Sequence, residues 1–323
     1  MRFNRSEAFN CRKGIFMNDT HKIPVLFLIF KRKDTALKAF ESIKAYQPER
    51  LYIAADGPRT HVAGEKEDCE ATRKAILESI DWNCEVKTLF RDSNLGCTNA
   101  VYGGISWFFE NEECGIINED DVVLSPDFYK LCEVLLPKYK DEDKVMIISS
   151  RNHSGKNQIS NEYFFTQFAN IWGWATWKRA WEKNPNEFEG WKDYPRKKLF
   201  ERFGLFQGWM TIRYYNACSN PNDKMGSWDY TWSYIINKND GICICPGVNL
   251  STNVGIGVEG STNYEMNDDD PYSKLGMGQI QWPLKDRTDL TLDKEMLKMD
   301  KKEFFRLRMI GLKKKIRNII SGR

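Results

Sequence analysis

The sequence lacks several features that mark common protein classes. Its longest unbroken apolar run is six residues, from Val25 to Phe30, whereas a membrane-spanning helix needs about 20, so no transmembrane segment is expected. Only three histidines occur in 323 residues, with neither an HExxH motif nor a Cys/His zinc pattern, so any bound metal is expected to be a hard cation held by oxygen. The absence of GxxxxGK[ST] excludes P-loop chemistry.

An excess of one charge is also missing. Lys and Arg number 48 against 45 Asp and Glu, for a formal net charge of +3, and this balance argues against a dedicated nucleic-acid binder. Nine cysteines at irregular spacings favour reduced thiols and a cytoplasmic location. The one close pair, Cys243 and Cys245, alternates within an apolar stretch, which is typical of a buried strand rather than a metal site.

Strand-like apolar runs alternate with helical periodicity in the first half of the chain. Strands are predicted at 24–30, 51–55, 85–90, 115–118 and 145–149, and helices at 34–46, 63–80, 95–111 and from Ser125 onward. This alternation predicts an α/β fold whose mostly parallel central sheet is flanked by helices. After about residue 150 the rhythm breaks, and 151–265 reads as an irregular, Trp-rich half with few regular strands.

The C-terminal segment 301–323 has nine Lys or Arg and one Glu. Its apolar residues recur at steps of four and three along one helical stripe: Phe305, Met309, Leu312, Ile316 and Ile319. A basic amphipathic helix of this kind suits the surface of an anionic membrane. The alternative is an ordinary terminal helix that packs on the body or on a partner.

The most informative motif is Glu119-Asp120-Asp121, which directly follows an apolar strand. Ligands of parallel α/β sheets bind beyond the carboxyl ends of the strands, and adjacent acids there need a counter-charge. Mg²⁺ or Mn²⁺, which prefers one or two carboxylates plus substrate phosphates, would supply it. In extended geometry Glu119 and Asp121 share a face and Asp120 points away. The alternative is a solvated acidic loop.

Seven segments in chain order carry a resemblance to a known family. They are PVLFLIFKR at 24–32, LYIAADGPR at 51–59, NLGC at 94–97, INEDDVVLSPDF at 117–128, WGWATWKRAW at 172–181, SWDYTW at 227–232 and NLSTNVGIG at 249–257. Over roughly 23–262 the chain resembles the nucleotide-sugar glycosyltransferases of the GT-A fold, in particular the N-acetylglucosaminyltransferase I-like group and its bacterial relatives in surface-polysaccharide synthesis. The resemblance implies a Rossmann-like GT-A fold and a hexosyl- or N-acetylhexosaminyltransferase that uses a nucleotide sugar, foremost a UDP-sugar.

The resemblance also implies roles for individual residues of the first half. Asp121 matches the position that contacts the metal, Mn²⁺ or Mg²⁺, and Glu119 and Asp120 match positions around the nucleoside and the metal's water shell. Asp56 matches a carboxylate that reads the base, and Arg32 matches a position near the nucleotide. The residues alone leave open that Asp56 is a turn former and that Arg32 belongs to a solvated basic turn.

The catalytic base is expected in the second half. Inverting transfer needs a carboxylate that removes the proton of the acceptor hydroxyl, and Asp229, which follows the expected N-cap Ser227, matches the family's catalytic Asp. Because a helix dipole also favours an acid in the first turn, helix capping is the alternative role. Asp223 and Asp240 are weaker candidates.

The tryptophans of the second half divide into two groups. Sugar rings pack on aromatic faces, so Trp172 and Trp174 are expected to bind the acceptor. Trp177 and Trp181 stand at helical spacing and are expected in the core.

Two segments late in the chain contain parts of known ligand-binding motifs. The GxGxxG match at 255–260 is not followed by a helix, so no dinucleotide site is expected there. Bacterial relatives often carry a Thr-His pair where this chain reads Ser261-Thr262-Asn263, which leaves the last metal ligand open.

The sequence therefore predicts a polar arm at 1–22, a GT-A domain at 23–265 with nucleotide and acceptor halves at 23–150 and 151–265, a connecting segment at 266–300 and a basic helix at 301–323. The predicted function is metal-assisted, inverting transfer to a glycan or glycolipid acceptor, by a cytoplasmic protein on the inner face of the cell membrane. One alternative is a sugar-nucleotide nucleotidylyltransferase, which the lack of glycine after the first strand disfavours. The other is a non-catalytic carbohydrate- or membrane-binding scaffold, which the acids at strand ends disfavour.

Overall fold

The computed structural model describes residues 22–152, 158–220, 228–256, 275–287 and 289–320. The strands are β1 (Val25–Ile29), β2 (Arg50–Ala55), β3 (Glu85–Phe90), β4 (Cys114–Glu119), β5 (Val122–Leu124), β6 (Val145–Ser149), β7 (Gln158–Thr166), β8 (Trp174–Trp177), β9 (Ile242–Val248) and β10 (Ser251–Asn253). The helices are α1 (Lys33–Tyr46), α2 (Glu65–Glu78), α3 (Cys97–Asn111), α4 (Pro126–Lys138), α5 (Lys178–Trp181), α6 (Arg196–Phe203), α7 (Leu205–Cys218), α8 (Trp228–Lys238) and α9 (Lys294–Ile320). The predicted arm (apart from Lys22), Ser227 and Asn263 lie outside the described residues.

Eight of these strands form one central sheet in the order β3-β2-β1-β4-β8-β6-β9-β7. The pairs β1–β2, β2–β3, β1–β4 and β6–β9 are parallel, whereas β8 runs antiparallel between β4 and β6, and β7 is antiparallel at the edge. The predicted α/β class with a mostly parallel, helix-flanked sheet is confirmed. All five strands predicted in the first half are present, and so is the buried strand that carries Cys243 and Cys245.

The chain order of the strands places a crevice beside β1. From β1 the chain proceeds outward through β2 and β3, and then returns to place β4 on the other side of β1. A sheet of this kind opens a crevice at the carboxyl ends of the two strands where the order reverses, and ligands bind there. The β1 and β4 ends are therefore the position at which the topology favours a site.

Two apolar clusters cover the two faces of the sheet. One contains the aliphatic residues of β1 and β2 that face α1, α2 and α4. The other packs α3, α5 and α8 on the opposite face and is largely aromatic, with the buried rings of Trp174, Trp181, Trp191, Trp228 and Trp232.

The second half is more regular than the sequence predicts. Strands β7 to β10 all lie in it, and three of them belong to the central sheet. The four-residue β8 is too short to show an alternating pattern, and it takes Trp177 as its last residue, so Trp177 and Trp181 do not share a helix as predicted. Both rings are nonetheless buried, which confirms their place in the core.

The C-terminal helix α9 begins at Lys294, earlier than the predicted residue 301. Its first turns pack on the body through the buried side chains of Met296, Asp300 and Glu303, while Phe305 and Met309 are exposed. Within the described residues, no helix combines the length and the apolar character that crossing a bilayer requires.

Candidate functional site

Arg32 joins the ends of the two strands that flank the crevice. It follows β1 and precedes the first residue of α1. Its guanidinium donates to Asp120 and, at 2.9 Å, to the Oδ2 atom of Asp121. The basic turn after β1 is therefore not simply solvated, because Arg32 is fixed to the acidic motif at the end of β4.

The geometry predicted for the acidic motif is wrong in one respect. Asp120 and Asp121 form a turn between β4 and β5 and do not continue the extended strand. The side chains of both residues consequently reach the same guanidinium, whereas alternation along a strand would have separated them.

Negative charge exceeds positive charge in the crevice. Burial raises the pKa of Glu119 well above its usual range, and the neighbouring carboxylates of Asp121, Asp120 and Asp229 raise it further. Burial also raises the pKa of Asp120 to about 6, although Arg32 opposes this shift. Burial by itself would lower the pKa of Arg32, but Asp120 and Asp121 outweigh it and raise that pKa.

The structure brings Asp229 from the second half to this cluster. Asp229 lies in the first turn of α8, and its charge contributes to the raised pKa of both Glu119 and Cys97. Trp228, the residue before it, stacks on Trp174 with ring centroids 6.0 Å apart. The two halves of the chain thus place their acids close enough to interact.

A backbone segment from the second half closes one side of the crevice. Strand β10 pairs with β5, and the N–H of Val254 donates to the backbone carbonyl of Asp121 at 2.7 Å. A Cβ atom at Gly255 would stand 2.6 Å from both Cβ and Oδ2 of Asp121 and 3.0 Å from a guanidinium nitrogen of Arg32. The close approach of this segment therefore requires glycine at position 255.

Asp56 is occupied by the loop that precedes α3. Its carboxylate accepts from the backbone N–H groups of Gly57, Leu95 and Gly96 and from the side-chain amide of Asn94. These contacts use the acceptor capacity of both oxygens, so the side chain acts in this structure as the anchor of the 94–96 loop. Contact between Asp56 and a base stays a prediction.

The two tryptophans expected to bind the acceptor differ in exposure. The Trp174 ring is 0% exposed and packs against Trp181, Trp228 and Trp232, so direct acceptor contact by Trp174 is wrong for this structure because the ring is enclosed by the core. Trp172 is partly exposed, lies just before β8 at the crevice end of the sheet, and has the guanidinium of Arg151 over its ring at 4.2 Å. An acceptor contact of Trp172 stays a prediction.

Sequence reasoning missed Cys97 and the role of Gly255. Cys97 opens α3 at an exposed position. Desolvation by the surrounding protein, together with Glu119, Asp229 and Asp56, raises the pKa of its thiol to about 11. The one sequence signal for both residues is that they lie in segments that resemble the family, NLGC and NLSTNVGIG. The spacing gave no reason to assign either residue to the crevice.

The acids of the crevice offer oxygen donors to a metal ion. Among the described side chains, no group of three or more His, Cys, Asp or Glu converges as a ready metal site. Mg²⁺ and Mn²⁺ need only one or two carboxylates when substrate phosphates complete the shell. Asp120 and Asp121 share the guanidinium of Arg32, and Glu119 and Asp229 add carboxyl groups nearby. This set of oxygen donors fits a divalent cation.

No family model matches the sequence, and no curated protein matches it either. The solved structures that it resembles include HddC from Yersinia pseudotuberculosis, with a TM-score of 0.33 and 11% identity over 54% of this chain and 86% of that chain. The complex of HddC with GMP-PN matches with a TM-score of 0.34 and 12% identity over the same parts of both chains. Apo-UDP-glucose pyrophosphorylase matches with a TM-score of 0.35 and 8% identity over 72% of this chain and 93% of that chain. None of the three is described as a glycosyltransferase, and likenesses this partial carry no assignment of substrate or reaction.

Proposed function

We propose that the chain is a nucleotide-sugar-dependent glycosyltransferase whose donor site is the crevice at the ends of β1 and β4. The observation that carries this proposal is the meeting of Arg32, the acidic turn at Asp120 and Asp121, and Asp229 at the point where the strand order reverses. A scaffold without catalysis has no need to gather partly buried acids whose mutual repulsion costs stability.

Each half contributes a separate part of the reaction. Asp121, together with the phosphates of the donor, would hold Mn²⁺ or Mg²⁺, and the cation when bound neutralises charge on the departing diphosphate. Arg32 orients the acidic turn through its two carboxylate contacts. Glu119 and Asp120 line the donor side.

Asp229 supplies the base in this proposal. A carboxylate at the edge of the donor site can take the proton from an acceptor hydroxyl as that oxygen attacks the anomeric carbon. Attack from the face opposite the leaving diphosphate gives inversion. The position of Asp229 near Glu119 and Cys97 supports this role.

A sugar-nucleotide nucleotidylyltransferase is the second candidate, because apo-UDP-glucose pyrophosphorylase is among the structures that the chain resembles. Such an enzyme needs free positive groups after the first strand for a triphosphate. Only residues 30–32 separate β1 from α1, and Lys31 pairs with Glu65 at 2.7 Å while Arg32 is held by the acidic turn. We keep the glycosyltransferase as the first proposal on the ground of this loop and the crevice residues.

The decisive experiment compares Asp229→Asn with the wild type in two assays. Transfer from a panel of UDP- and GDP-sugars to glycan acceptors should fall by roughly 10²–10⁴-fold, the usual contribution of general-base catalysis, while the affinity for the nucleotide stays within about twofold, since the substitution leaves the donor contacts in place. Asp240→Asn, a change at the exposed acid just after the same helix, is the matched control and should behave as wild type.

Two results would redirect the assignment. Full transfer activity of Asp229→Asn would remove the base from the mechanism. Pyrophosphate release from a nucleoside triphosphate and a sugar 1-phosphate, without any transfer from a nucleotide sugar, would establish the nucleotidylyltransferase instead.

The proposed partners are a nucleotide-sugar donor, a glycan or glycolipid acceptor and an anionic membrane surface. The membrane contact is proposed for the basic segment 301–323 and would hold the protein on the inner face of the cell membrane. The exposure of Phe305 and Met309 supports this proposal.

A further inference from the structure

A cavity of about 220 Å³ lies between α7, α8, the start of α9 and the residues that follow β7. It is distinct from the crevice at β1 and β4, since none of the acids there lines it. The aromatic part of its wall is formed by Phe168, Phe203, Tyr214, Tyr215, Tyr230 and Phe304. Ligand sites are commonly concave and apolar with a few convergent polar groups.

Two residues that line this cavity each carry a buried acceptor atom without a donor among the described residues. Asp300 is 3% exposed, and its Oδ2 atom accepts from Thr166 at 2.8 Å, while its Oδ1 atom has no hydrogen-bond partner in the described part of the chain. Gln207 is 7% exposed, and its Oε1 atom likewise has no partner there. Buried acceptors left without a donor are unfavourable, so the wall is matched to a group that donates hydrogen bonds.

The charges around the cavity favour a neutral donor over a cationic one. The carboxylate of Glu303 is already neutralised, because it accepts from Arg306 on the same helix at 2.7 Å. The guanidinium of Arg308 lies 5.0 Å from the ring centroids of Tyr214 and Phe304, where it would repel an ammonium group. Burial raises the pKa of Asp300 to about 7, so at neutral pH this carboxyl is only partly charged.

The volume of the cavity and the chemistry of its wall limit the class of ligand further. The cavity is smaller than the roughly 300–1,000 Å³ of drug-sized sites, so it suits a group no larger than about one ring. Hydroxyl groups would donate to Asp300 and Gln207, and the apolar C–H faces of a pyranose would lie on the aromatic wall. A single sugar ring satisfies both requirements together.

We infer that this cavity binds one monosaccharide unit, and that the unit belongs to the acceptor glycan. The second part rests on the proposed function, and it follows from the position of Tyr230. Tyr230 lines the cavity and is the residue after Asp229. Burial raises the pKa of its hydroxyl to about 12, with Asp229 the next contributor, so the cavity adjoins the residue assigned as the base.

Saturation-transfer NMR with a mixture of methyl hexopyranosides and methyl N-acetylhexosaminides tests the cavity directly. The wild type should transfer saturation to at least one glycoside. Gln207→Met, which keeps the side-chain length and removes the acceptor, should reduce the affinity at least tenfold, and Asp300→Leu should do the same. Gln281→Met, the same change at an exposed position away from the cavity, should leave binding unchanged.

Thermal unfolding of each variant shows whether it folds, and Gln207→Met decides the question should Asp300→Leu fail to fold. No signal from any glycoside with the wild type, or equal affinity in Gln207→Met, would overturn the site. If the protein binds a glycoside but transfers no sugar, the sugar-binding cavity stands and the proposed function is wrong. If Gln207→Met transfers sugar with an unchanged acceptor KM, the proposed function stands and the cavity is not an acceptor site.

A separate observation concerns exposed apolar side chains on α7 and α9. Among the described residues, five of the eight large hydrophobic side chains that are exposed lie on these two helices: Leu205, Phe206, Trp209, Phe305 and Met309. Phe206 and Phe305 contact each other with ring centroids 5.5 Å apart, so the two helices present one continuous apolar patch. Such a concentration marks an interaction surface.

Basic residues surround this patch. Lys301, Lys302 and Arg308 on α9 are exposed, and Arg213 lies over the ring of Trp209 at 5.0 Å. The remaining sequence of the segment continues with Lys313, Lys314, Lys315 and Arg317. A patch with a central Trp and Phe and a basic rim is complementary to anionic headgroups above an apolar layer.

We propose that the N-terminal turn of α7 acts together with α9 as one membrane-docking surface for an anionic bilayer. The new element is the pair Leu205 and Trp209 on the folded body, which the basic segment alone does not include. On this surface α9 would contact the folded body on one side and the bilayer on the other.

Flotation with vesicles of phosphatidylglycerol and phosphatidylcholine tests this proposal. The wild type should float with mixed vesicles and not with phosphatidylcholine alone, and the triple variant Leu205→Ser/Trp209→Ser/Phe305→Ser should lose at least tenfold in vesicle affinity. The matched control Leu77→Ser/Leu95→Ser/Met277→Ser removes three exposed apolar side chains elsewhere and should float as wild type. Equal flotation of the two triple variants would overturn the proposal, and so would a patch-dependent dimer in light scattering that does not bind vesicles.

Discussion

The two halves of the molecule bury their polar and apolar groups differently. In the first half the buried acid Glu65 is enclosed by cations, with Lys31 at 2.7 Å and the guanidinium of Arg59 on both of its oxygens, and these partners hold the pKa of Glu65 well below its usual range. In the second half the buried acid Asp300 has, among the described residues, only a Thr166 hydroxyl as a hydrogen-bond partner, and burial raises its pKa to about 7. Glu65 is thus satisfied by neighbouring cations, whereas Asp300 keeps one acceptor atom without a donor within the described part of the chain.

The two apolar clusters also differ, but they divide by the face of the sheet and not by the half of the chain. One cluster contains the aliphatic residues of β1, β2 and α1. The other contains stacked and tilted tryptophan rings from the second half together with residues of the first half such as Ile117. Aromatic packing therefore holds the helix that carries Asp229.

The largest effect is expected from Trp174→Ala. Trp174 is 0% exposed and supports Trp228 next to Asp229, and removing a buried Trp side chain costs about 3–5 kcal/mol. Ile117→Val on the register partner of Trp174 in β4 should cost only about 0.5–1.5 kcal/mol. Both residues lie in the same apolar cluster, and urea unfolding measures both losses. Equal losses would mean that the ring of Trp174 contributes no more to this cluster than one methyl group.

A smaller, pH-dependent effect is expected from Asp300→Asn. The folded protein binds a proton at Asp300 up to pH about 7, whereas the unfolded chain releases it near the ordinary value of 3.8. The folded state therefore binds more protons between these values, and the wild type loses stability as pH rises from about 4 to 7. The amide abolishes this loss, so the variant should exceed the wild type by up to about 4 kcal/mol at pH 8.

Urea titrations at pH 4 and pH 8 measure how the stability difference between Asp300→Asn and the wild type depends on pH. The difference between the variant and the wild type should be small at the lower pH and larger at the higher one. Asp141→Asn, at an exposed position, is the matched control. A pH-independent difference would mean that Asp300 has a cationic partner like that of Glu65.

The smallest effect is expected from Gly255→Ala. The new Cβ would stand 2.6 Å from Oδ2 of Asp121, so the acid must shift, at a cost of about 1–3 kcal/mol for overpacking. Nucleotide affinity should fall about tenfold while the fold remains. Gly276→Ala, where a Cβ meets nothing within 4 Å, should leave affinity unchanged, and the same affinity in both variants would remove the 253–256 segment from the donor site.

The sequence predicts the first half well because its strands are continuous apolar runs and its helices have clear signals. Ser125, for instance, caps α4 through its side chain as expected. Apart from β9, the strands of the second half could not be predicted from local sequence patterns. Strand β8 has four residues, and its place between β4 and β6 depends on long-range pairing that no local pattern encodes.

The candidate site likewise has features that the sequence predicts and features that depend on long-range contacts. Its residues Arg32, Asp120 and Asp121 could be predicted because parallel strands end at one edge of the sheet. The turn that sends Asp120 and Asp121 to a single arginine could not, since three successive acids after a strand fit both an extended and a turned backbone. The burial of Trp174 depends on the rings of α8, which are remote in sequence.

The central claim is that the acidic turn at Asp120 and Asp121 binds the diphosphate of a nucleotide sugar through a divalent cation. Thermal unfolding with a panel of nucleotide sugars, with and without Mn²⁺, tests it most directly in the wild type and in Asp121→Ala. A matching donor at a hundred times its Kd should stabilise the wild type by about 2.7 kcal/mol, with a clear gain from Mn²⁺, and should stabilise Asp121→Ala much less. Equal stabilisation of both proteins, or none by any nucleotide sugar, would contradict the claim.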